Sequence, residues 1–374
     1  MKSTIMNIYI KNGSVILKDR IADGATVTIN DGRIAAISRK RAPKKGSFVI
    51  DAGGCFVSPG FIDCHIHGSP EKIFFNEAKH GTTAFVIAAS CAPLNYIYNR
   101  AEEIKKFMMR HPFGPNVLGL RLEGPYISKE KAGAQNTACI REPDVKELSF
   151  IVSRLASLLK IMTIAPELKN AGPVIRSLVK NRVIASIGHS DATYETALAG
   201  IDAGITHATH IFNAMSGIDR REPGAVGAVL MDDRVTAEVI LDLIHVHRAL
   251  FELLVKIKKK DKIIIVTDSI VAETLEGVEA SGGAYRFSDG KLAGSSLTMM
   301  GALKNAIRSA NLPLREALNM ITLNPAKLLG VEKNKGSIAA GKDADVVIFN
   351  KEFDVKMTMI RGRIAFVKGK ICAG

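Results

Sequence analysis

The chain has 374 residues, 47% hydrophobic, 24% charged and 6% aromatic, with a formal net charge of +14. That length exceeds one ordinary small domain, and the apolar share is enough for a sizeable core without cross-links. The five cysteines, Cys55, Cys64, Cys91, Cys139 and Cys372, include no Cys-x-x-Cys pair, which argues against a disulfide-stapled fold and for a reducing compartment. The positive charge is not arranged for nucleic acid. Lys256-Ile-Lys-Lys-Lys260 follows an amphipathic helical segment without interleaved aromatics, and Arg39-Lys-Arg41 with Lys44-Lys45 lies in a loop, so both read as solvated faces. A basic surface would still attract an anionic small substrate. Met1-Lys-Ser-Thr-Ile-Met runs straight into a strand pattern and no run approaches bilayer length, so the expectation is a cytoplasmic protein with no membrane partner.

Through Val57 the sequence alternates in short β fashion around the turn dipeptides Asn12-Gly13 and Asp31-Gly32, read as hairpin signals. The same grammar returns in Ala344-Asp-Val-Val-Ile-Phe349, Met357-Thr-Met-Ile360, Arg361-Gly362 and Ile364-Ala-Phe-Val367. Both ends are therefore expected to build one small β domain of sandwich type from residues 1–57 and 336–374.

Between them, β-rich runs alternate with helical stretches, and each of six runs ends at a chemically active residue. The first delivers His65-Ile-His67; side chains alternate along a strand, so both histidines face one way and can share a metal, while Cys64 turns to the opposite face as a core residue. Leu118–Leu122 delivers Glu123, Val183–Ile187 delivers His189, and Ala208-Thr209 delivers His210. Val239–Ile244 delivers His245 and Lys262–Thr267 delivers Asp268. With runs at Thr83–Ala89 and Ile161–Ala165 the β-runs number eight, the pattern of a TIM-type (β/α)8 barrel over residues 58–335 with its active residues at the C-terminal strand ends. A lone histidine is more often packed or exposed than a ligand, but this constellation is hard to ascribe to chance, and it points to a metal hydrolase. His80 and His111 fall outside the pattern and are expected in solvent; His207 and His247 flank their active neighbours.

Pro59-Gly-Phe-Ile-Asp63 before His65-x-His67, and Gly336-x-Ile-Ala-x-Gly341-Lys-x-Ala-Asp345, resemble the opening and closing phrases of the amidohydrolase superfamily. Leu122-Glu-Gly-Pro-Tyr126, Ala165-Pro-Glu167, Gly188-His-Ser190, Thr209-His-x-Phe-Asn-Ala-Met215, Arg221-Glu-Pro-Gly224, Val266-Thr-Asp268 and Ala293-Gly-Ser-Ser-Leu-Thr298, in this order over nearly the whole chain, resemble the N-acetylglucosamine-6-phosphate deacetylase family. No lysine ends the fourth strand, where many binuclear amidohydrolases carry a carbamylated one, so Glu123 is the expected bridging carboxylate.

The resemblance implies that Glu123, His189 and His210 hold the principal divalent metal and that Asp268 is the general base. A second ion can sit between His65, His67, Glu123 and Asp268, giving one or two ions of zinc or ferrous iron. It further implies a substrate site of Asn213, Ala214, His245 and Arg221, the arginine reaching in from a neighbouring subunit of a homodimer. The implied reaction turns N-acetylglucosamine 6-phosphate into glucosamine 6-phosphate and acetate. The alternatives are N-acetylgalactosamine 6-phosphate, another N-acyl substrate, or a weakened sugar-phosphate-binding relative. Two departures bear on this. Gln135 stands where the family usually has a histidine that polarises the carbonyl, and an amide cannot become cationic. The stretch Ser69–Gly81 after the first strand is also short for the family, and it flanks the barrel mouth.

Overall fold

The computed structural model describes residues 7–40, 43, 45–111, 116–271 and 278–369. The expectations placed on Met1–Met6, Arg41, Lys44 and Cys372 lie outside these residues.

The N-terminal strands are β1 (Ile8–Ile16), β2 (Ile21–Asn30), β3 (Arg33–Ser38), β4 (Phe48–Asp51) and β5 (Phe56–Pro59). They join β18 (Val346–Phe349), β19 (Val355–Ile360) and β20 (Arg363–Val367) in one eight-stranded sheet of order β20-β19-β18-β5-β1-β2-β3, with β4 on β1. Strands from both ends therefore share a sheet, and its core packs Ile10, Val27, Ile50, Val57, Ile348 and Met357 together. Asp31-Gly32 and Arg361-Gly362 are two-residue hairpin turns with positive φ at all four positions, which is what a type I′ connection demands. Asn12-Gly13 is not a turn. It lies inside β1, where the pairing with β2 slips between Ile10 and Gly13 and again between Gly13 and Ser14, so the left-handed Asn12 makes a bulge instead.

The remaining strands form a twelve-stranded sheet. Its parallel strands are β6 (Phe61–His67), β7 (Thr82–Ala89), β8 (Asn116–Glu123), β9 (Leu159–Ile164), β10 (Ile184–Ile187), β11 (His207–Ala208), β12 (Thr236–Ile240) and β13 (Ile263–Val266), laid side by side in chain order. The crossovers carry α1 (Pro70–Glu77), α2 (Leu94–Arg110), α3 (Val145–Leu155), α4 (Ala171–Lys180), α5 (Tyr194–Ala203), α6 (Gly224–Met231) and α7 (Arg248–Ile257); α8 (Met299–Ala310) follows the last strand. β7 is buried along its whole length, as a parallel strand covered on both faces must be. The short stretch after His67 accommodates the eight-residue α1, capped by Ser69.

The eighth strand is broken. β13 pairs with β12, and β14 (Ser269–Ile270), two residues further on, pairs with β6. Asp268 donates its backbone N–H to His65 O at 2.9 Å between them. The sheet thus curls until its ends meet at the break, a TIM-barrel-like ring. From β14 the chain adds β15 (Val278–Ser281), β16 (Ala284–Phe287) and β17 (Leu292–Ser295), a small antiparallel flap hydrogen-bonded beyond the ring.

Two surface expectations fail. Lys258, in the basic run after α7, is 2% exposed and its ammonium donates to the carbonyls of Val229 and Asp232. Burial pushes it down to about 8. His80 is half-buried rather than in solvent, whereas His111 is exposed.

The two hairpin turns pack on each other. A Cβ added to Gly32 would meet Arg361 O at 2.7 Å, and one added to Gly362 would meet Gly32 Cα at 2.9 Å. Gly24 has a similar left-handed φ of +66° against +71° at Gly32, but open space around it. Gly24→Ala should therefore cost only the backbone term, about 1 kcal/mol, and Gly32→Ala at least about 1 kcal/mol more. Denaturant midpoints of the two variants check this; equal losses would mean that the turns do not constrain each other.

Candidate metal centre

Six side chains expected at strand ends converge. His65 and His67 close β6 and Glu123 closes β8. His189, His210 and Asp268 each stand two residues past a strand, with φ of +49°, +28° and +47°. Turning the chain back so soon requires close approach of neighbouring strands. Gly188 permits it, since a Cβ there would meet Thr209 Cβ at 2.7 Å.

Glu123 is the hub. Its Oε1 lies 3.1 Å from His65 Nε2, 3.3 Å from His210 Nε2 and 3.8 Å from His189 Nε2. Its Oε2 lies 3.5 Å from His67 Nε2. Asp268 Oδ1 is 3.1 Å from His67 Nε2 and 3.2 Å from His65 Nε2. Two triads result, Glu123 with His189 and His210, and His65 with His67 and Asp268. Within each, the donor atoms lie within 4.8 Å of one another.

Glu123 Oε1, His65 Nε2 and His189 Nε2 are buried without a hydrogen-bond partner among the described residues. His189 donates through Nδ1 to Lys131 O at 2.9 Å and His65 through Nδ1 to Glu238 Oε1 at 2.7 Å. Those bonds leave the Nε2 lone pair of each ring facing a carboxylate, an arrangement that is repulsive until a cation stands between. The donor set of imidazoles and carboxylates fits a divalent metal. Electrostatics point the same way: burial and the Arg121 guanidinium push His65 down, but the carboxylates of Asp268, Glu123 and Glu238 outweigh them and raise it to about 10. Burial would raise Glu123 and Asp268, yet the neighbouring histidines hold both well below the usual carboxylate range. The cluster thus calls for positive charge, as a proton on His65 or as a metal among the ligands.

Beneath lies a layer the sequence reading did not single out. Glu238 on β12 is fully buried; it accepts from His65, from Arg121 Nη1 at 2.6 Å and from His207 Nε2 at 3.0 Å. His207 is thus part of this network, not a mere neighbour of His210. Asp63 accepts from His65 N–H and Thr267 Oγ1, tying the ligand end of β6 to the residue before Asp268. The available signal was a charged residue inside an otherwise apolar strand, as with Arg121 in Leu118–Leu122 and Glu238 in Thr236–Ile240. Glu167 bonds Ser190 Oγ at 2.7 Å and Asp191 N–H at 2.6 Å, which fixes the turn carrying His189. Cys64 is fully buried among Ile62, Ala84 and Val266.

A cavity of about 650 Å³ opens over the cluster, lined among others by Gln135, Asn213, Ala214 and His245. Gln135 is turned by Cys91 N–H, which donates to its Oε1 at 2.7 Å, so that its Nε2 donates to Glu123 Oε2 at 3.0 Å. Asn213 Nδ2 donates to His210 O at 3.2 Å. His245 is not delivered by a strand: β12 ends at Ile240, and His245 follows a turn held by Asp242, which takes its Nδ1–H at 2.6 Å. Arg221 is exposed and does not line the cavity of its own chain. Glu222, its neighbour, accepts from the N–H groups of Tyr194 and Gly224.

Residues 56–365 match the model of the amidohydrolase family. The chain is 34% identical to an N-acetylglucosamine-6-phosphate deacetylase of Bacillus subtilis, over 96% of this chain and 98% of that one. It is 33% identical to an N-acetylgalactosamine-6-phosphate deacetylase of Escherichia coli O157:H7, over 92% and 95%. The crystal structure of N-acetylglucosamine-6-phosphate deacetylase from Pasteurella multocida superposes with a TM-score of 0.89 at 29% identity, covering 97% of this chain and all of that one. With its candidate ligand residues gathered at the ends of barrel strands and nearly its whole length shared with these relatives, the chain belongs to the amidohydrolase family, within the group of N-acetylglucosamine-6-phosphate deacetylases.

Proposed function

We propose that the protein hydrolyses the amide of N-acetylglucosamine 6-phosphate, giving glucosamine 6-phosphate and acetate. The observation that carries this reading is the pair of ligand triads meeting at Glu123 under an open cavity, with Asp268 at its edge. One or two divalent ions, zinc or ferrous iron, held by Glu123, His189 and His210 and by His65, His67 and Asp268, would supply Lewis acidity toward the amide carbonyl and the attacking water. Asp268 takes the water's proton on a carboxylate oxygen and returns it to the departing amine nitrogen. Its carboxyl is held in the ionised form by the histidines beside it, so it is ready to accept. Gln135 steadies Glu123 through a neutral hydrogen bond. Asn213, the backbone of Ala214 and His245 receive the sugar phosphate.

Arg221 completes the phosphate site from the partner in a homodimer, which is consistent with its position outside the cavity of its own chain. Residues 1–57 and 336–374 serve as a separate small β domain of sandwich type, and residues 58–335 as the catalytic barrel. The setting is cytoplasmic; among the described residues no helix is long and apolar enough to cross a membrane. The galactosamine epimer is the second reading, favoured by the near-equal identity to the two kinds of relative. Amine release from both sugar phosphates, with metal content measured on the same sample, decides between them; release from neither would leave another N-acyl substrate or a sugar-phosphate-binding role.

Asp268→Asn should lower kcat by about 10³-fold or more while the Glu123, His189 and His210 site keeps its metal, because an amide cannot take the proton. Near-normal kcat would remove Asp268 from the base role. Replacing His65 and His67 together by Gln should lower bound metal by about one ion per chain. Unchanged content, read by elemental analysis, would leave these histidines a structural part. Arg221→Ala should cut kcat/KM for the phosphorylated substrate by about 10- to 1000-fold, and removing the substrate's phosphate should not add to that loss. Equal slowing of phosphorylated and unphosphorylated substrates would mean that Arg221 does not read phosphate.

A further inference from the structure

The cavity has two sides. Asn213, Ala214 and His245 follow β11 and β12. Facing them are residues that follow β7, four strands from β11 in the ring, and residues of the flap beyond β14. Both the start of α2, through Tyr96 and Arg100, and the β16–β17 hairpin line the cavity on this second side. Its wall is largely apolar, made by Ala88, Cys91, Ala92, Val271, Phe287 and Leu292, and its cations are Arg100, Arg286 and Lys291. Among the described residues, the only carboxylates lining the cavity are Glu123 and Asp268, both already among the candidate metal ligands. Arg100 shares its charge with Glu103 at 2.8 Å. Arg286 donates through Nη1 to Gly290 O at 3.0 Å, which braces its guanidinium across the hairpin that also carries Lys291.

An amide substrate that sets its sugar phosphate against Asn213 and His245 and its carbonyl over the metal ligands must direct its acyl chain toward the opposite wall. An acetyl group ends at its methyl and carries nothing that could pair with the cations of that wall. We propose that this side is an acyl subsite, and that the protein removes N-acyl groups longer than acetyl that carry an apolar stem and a terminal carboxylate, with Arg286 and Lys291 as the carboxylate's partners. The inference rests on the deacetylase reading and extends it. The reaction is the same hydrolysis: a bond forms between the water oxygen and the acyl carbon, and the carbon–nitrogen bond breaks. The nitrogen keeps the electron pair and takes the proton, and the acyl group leaves as a dicarboxylate. The apolar wall contributes by burying methylenes, and the cations by charge-assisted hydrogen bonds that a neutral chain of equal length cannot form.

The test compares the N-succinyl and N-butyryl derivatives of glucosamine 6-phosphate, equal in carbon count and differing in the terminal carboxylate, with the N-acetyl compound as reference. The metal-loaded wild-type protein should favour succinyl over butyryl in kcat/KM by about 10- to 100-fold, the range of one or two hydrogen bonds to a charged group. In Arg286→Ala with Lys291→Ala that ratio should fall to about one. A ratio taken within one sample cancels differences in folding and metal loading. Equal turnover of the two by the wild type, or hydrolysis of the N-acetyl compound with neither longer chain accepted, would overturn the subsite. So would a ratio unchanged in the variant with all three substrates slowed alike, because the two cations would then serve the phosphate or the flap. Failure to hydrolyse any of the three would count first against the deacetylase reading, and this inference would fall with it.

Discussion

The hydrogen bond from His65 Nδ1 to Glu238 is the contact on which the centre depends. It decides which nitrogen of His65 carries a proton and therefore which one faces Glu123 and Asp268. Glu238 meets that demand only because Arg121 and His207 share its charge in a fully buried setting. Taking the Arg121–Glu238 pair out of water is expensive, and removing one member would cost about 3–5 kcal/mol by orphaning the other. The pair is therefore poorly explained as a source of stability. Its evident result is a fixed direction for the candidate ligand above it, with four strands, β6, β8, β11 and β12, tied through one carboxylate.

Strain is concentrated at the same end of the barrel. His189, His210 and Asp268 have left-handed backbones, as do Phe212 and Ala214 nearby. Each such non-glycine residue costs about 1–3 kcal/mol and persists only where the surroundings over-determine it. The restraints are specific. Glu167 holds the turn after His189, His210 N–H donates to Glu238 at 3.2 Å, and Asp268 is pinned by its N–H to His65 O and by Ser295 N–H on its carbonyl at 3.1 Å. Asp268 occupies the break in the eighth strand, so closing the ring and aiming the proposed base are one geometric event.

The ring and its candidate ligands are legible in the sequence because parallel strands buried on both faces leave long apolar runs, and a polar residue at the end of such a run stands out. Glu123, His189, His210 and Asp268 are found that way. Glu238 and Arg121 escape it because they sit inside strands, where a lone charge reads as an interruption. His245 shows the opposite error: the apolar run Val239–Ile244 outlasts its strand, since Leu241 and Ile244 lie in a turn that Asp242 organises. Asn12-Gly13 carries the composition of a turn, but φ > 0 serves a bulge equally well, and only the strand that pairs with it decides. A partner's contribution to a site, as proposed for Arg221, leaves no local pattern at all.

The pairing of β5 with β18 has a consequence for the order of events in a nascent chain. β5 runs through Gly60 directly into β6, so the strand that bears His65 and His67 is an immediate extension of a sheet whose other half is encoded near residue 346. At ordinary elongation rates, on the order of tens of seconds separate the emergence of the two pairing strands. Through that interval β5 has an open edge, and the barrel must assemble with its first strand anchored on one side only. Contacts this distant in sequence raise the loop-closure cost and slow the final step. An exposed edge beside an apolar barrel strand invites pairing with another chain, which makes this interval, rather than the finished fold, the point most open to aggregation or chaperone capture.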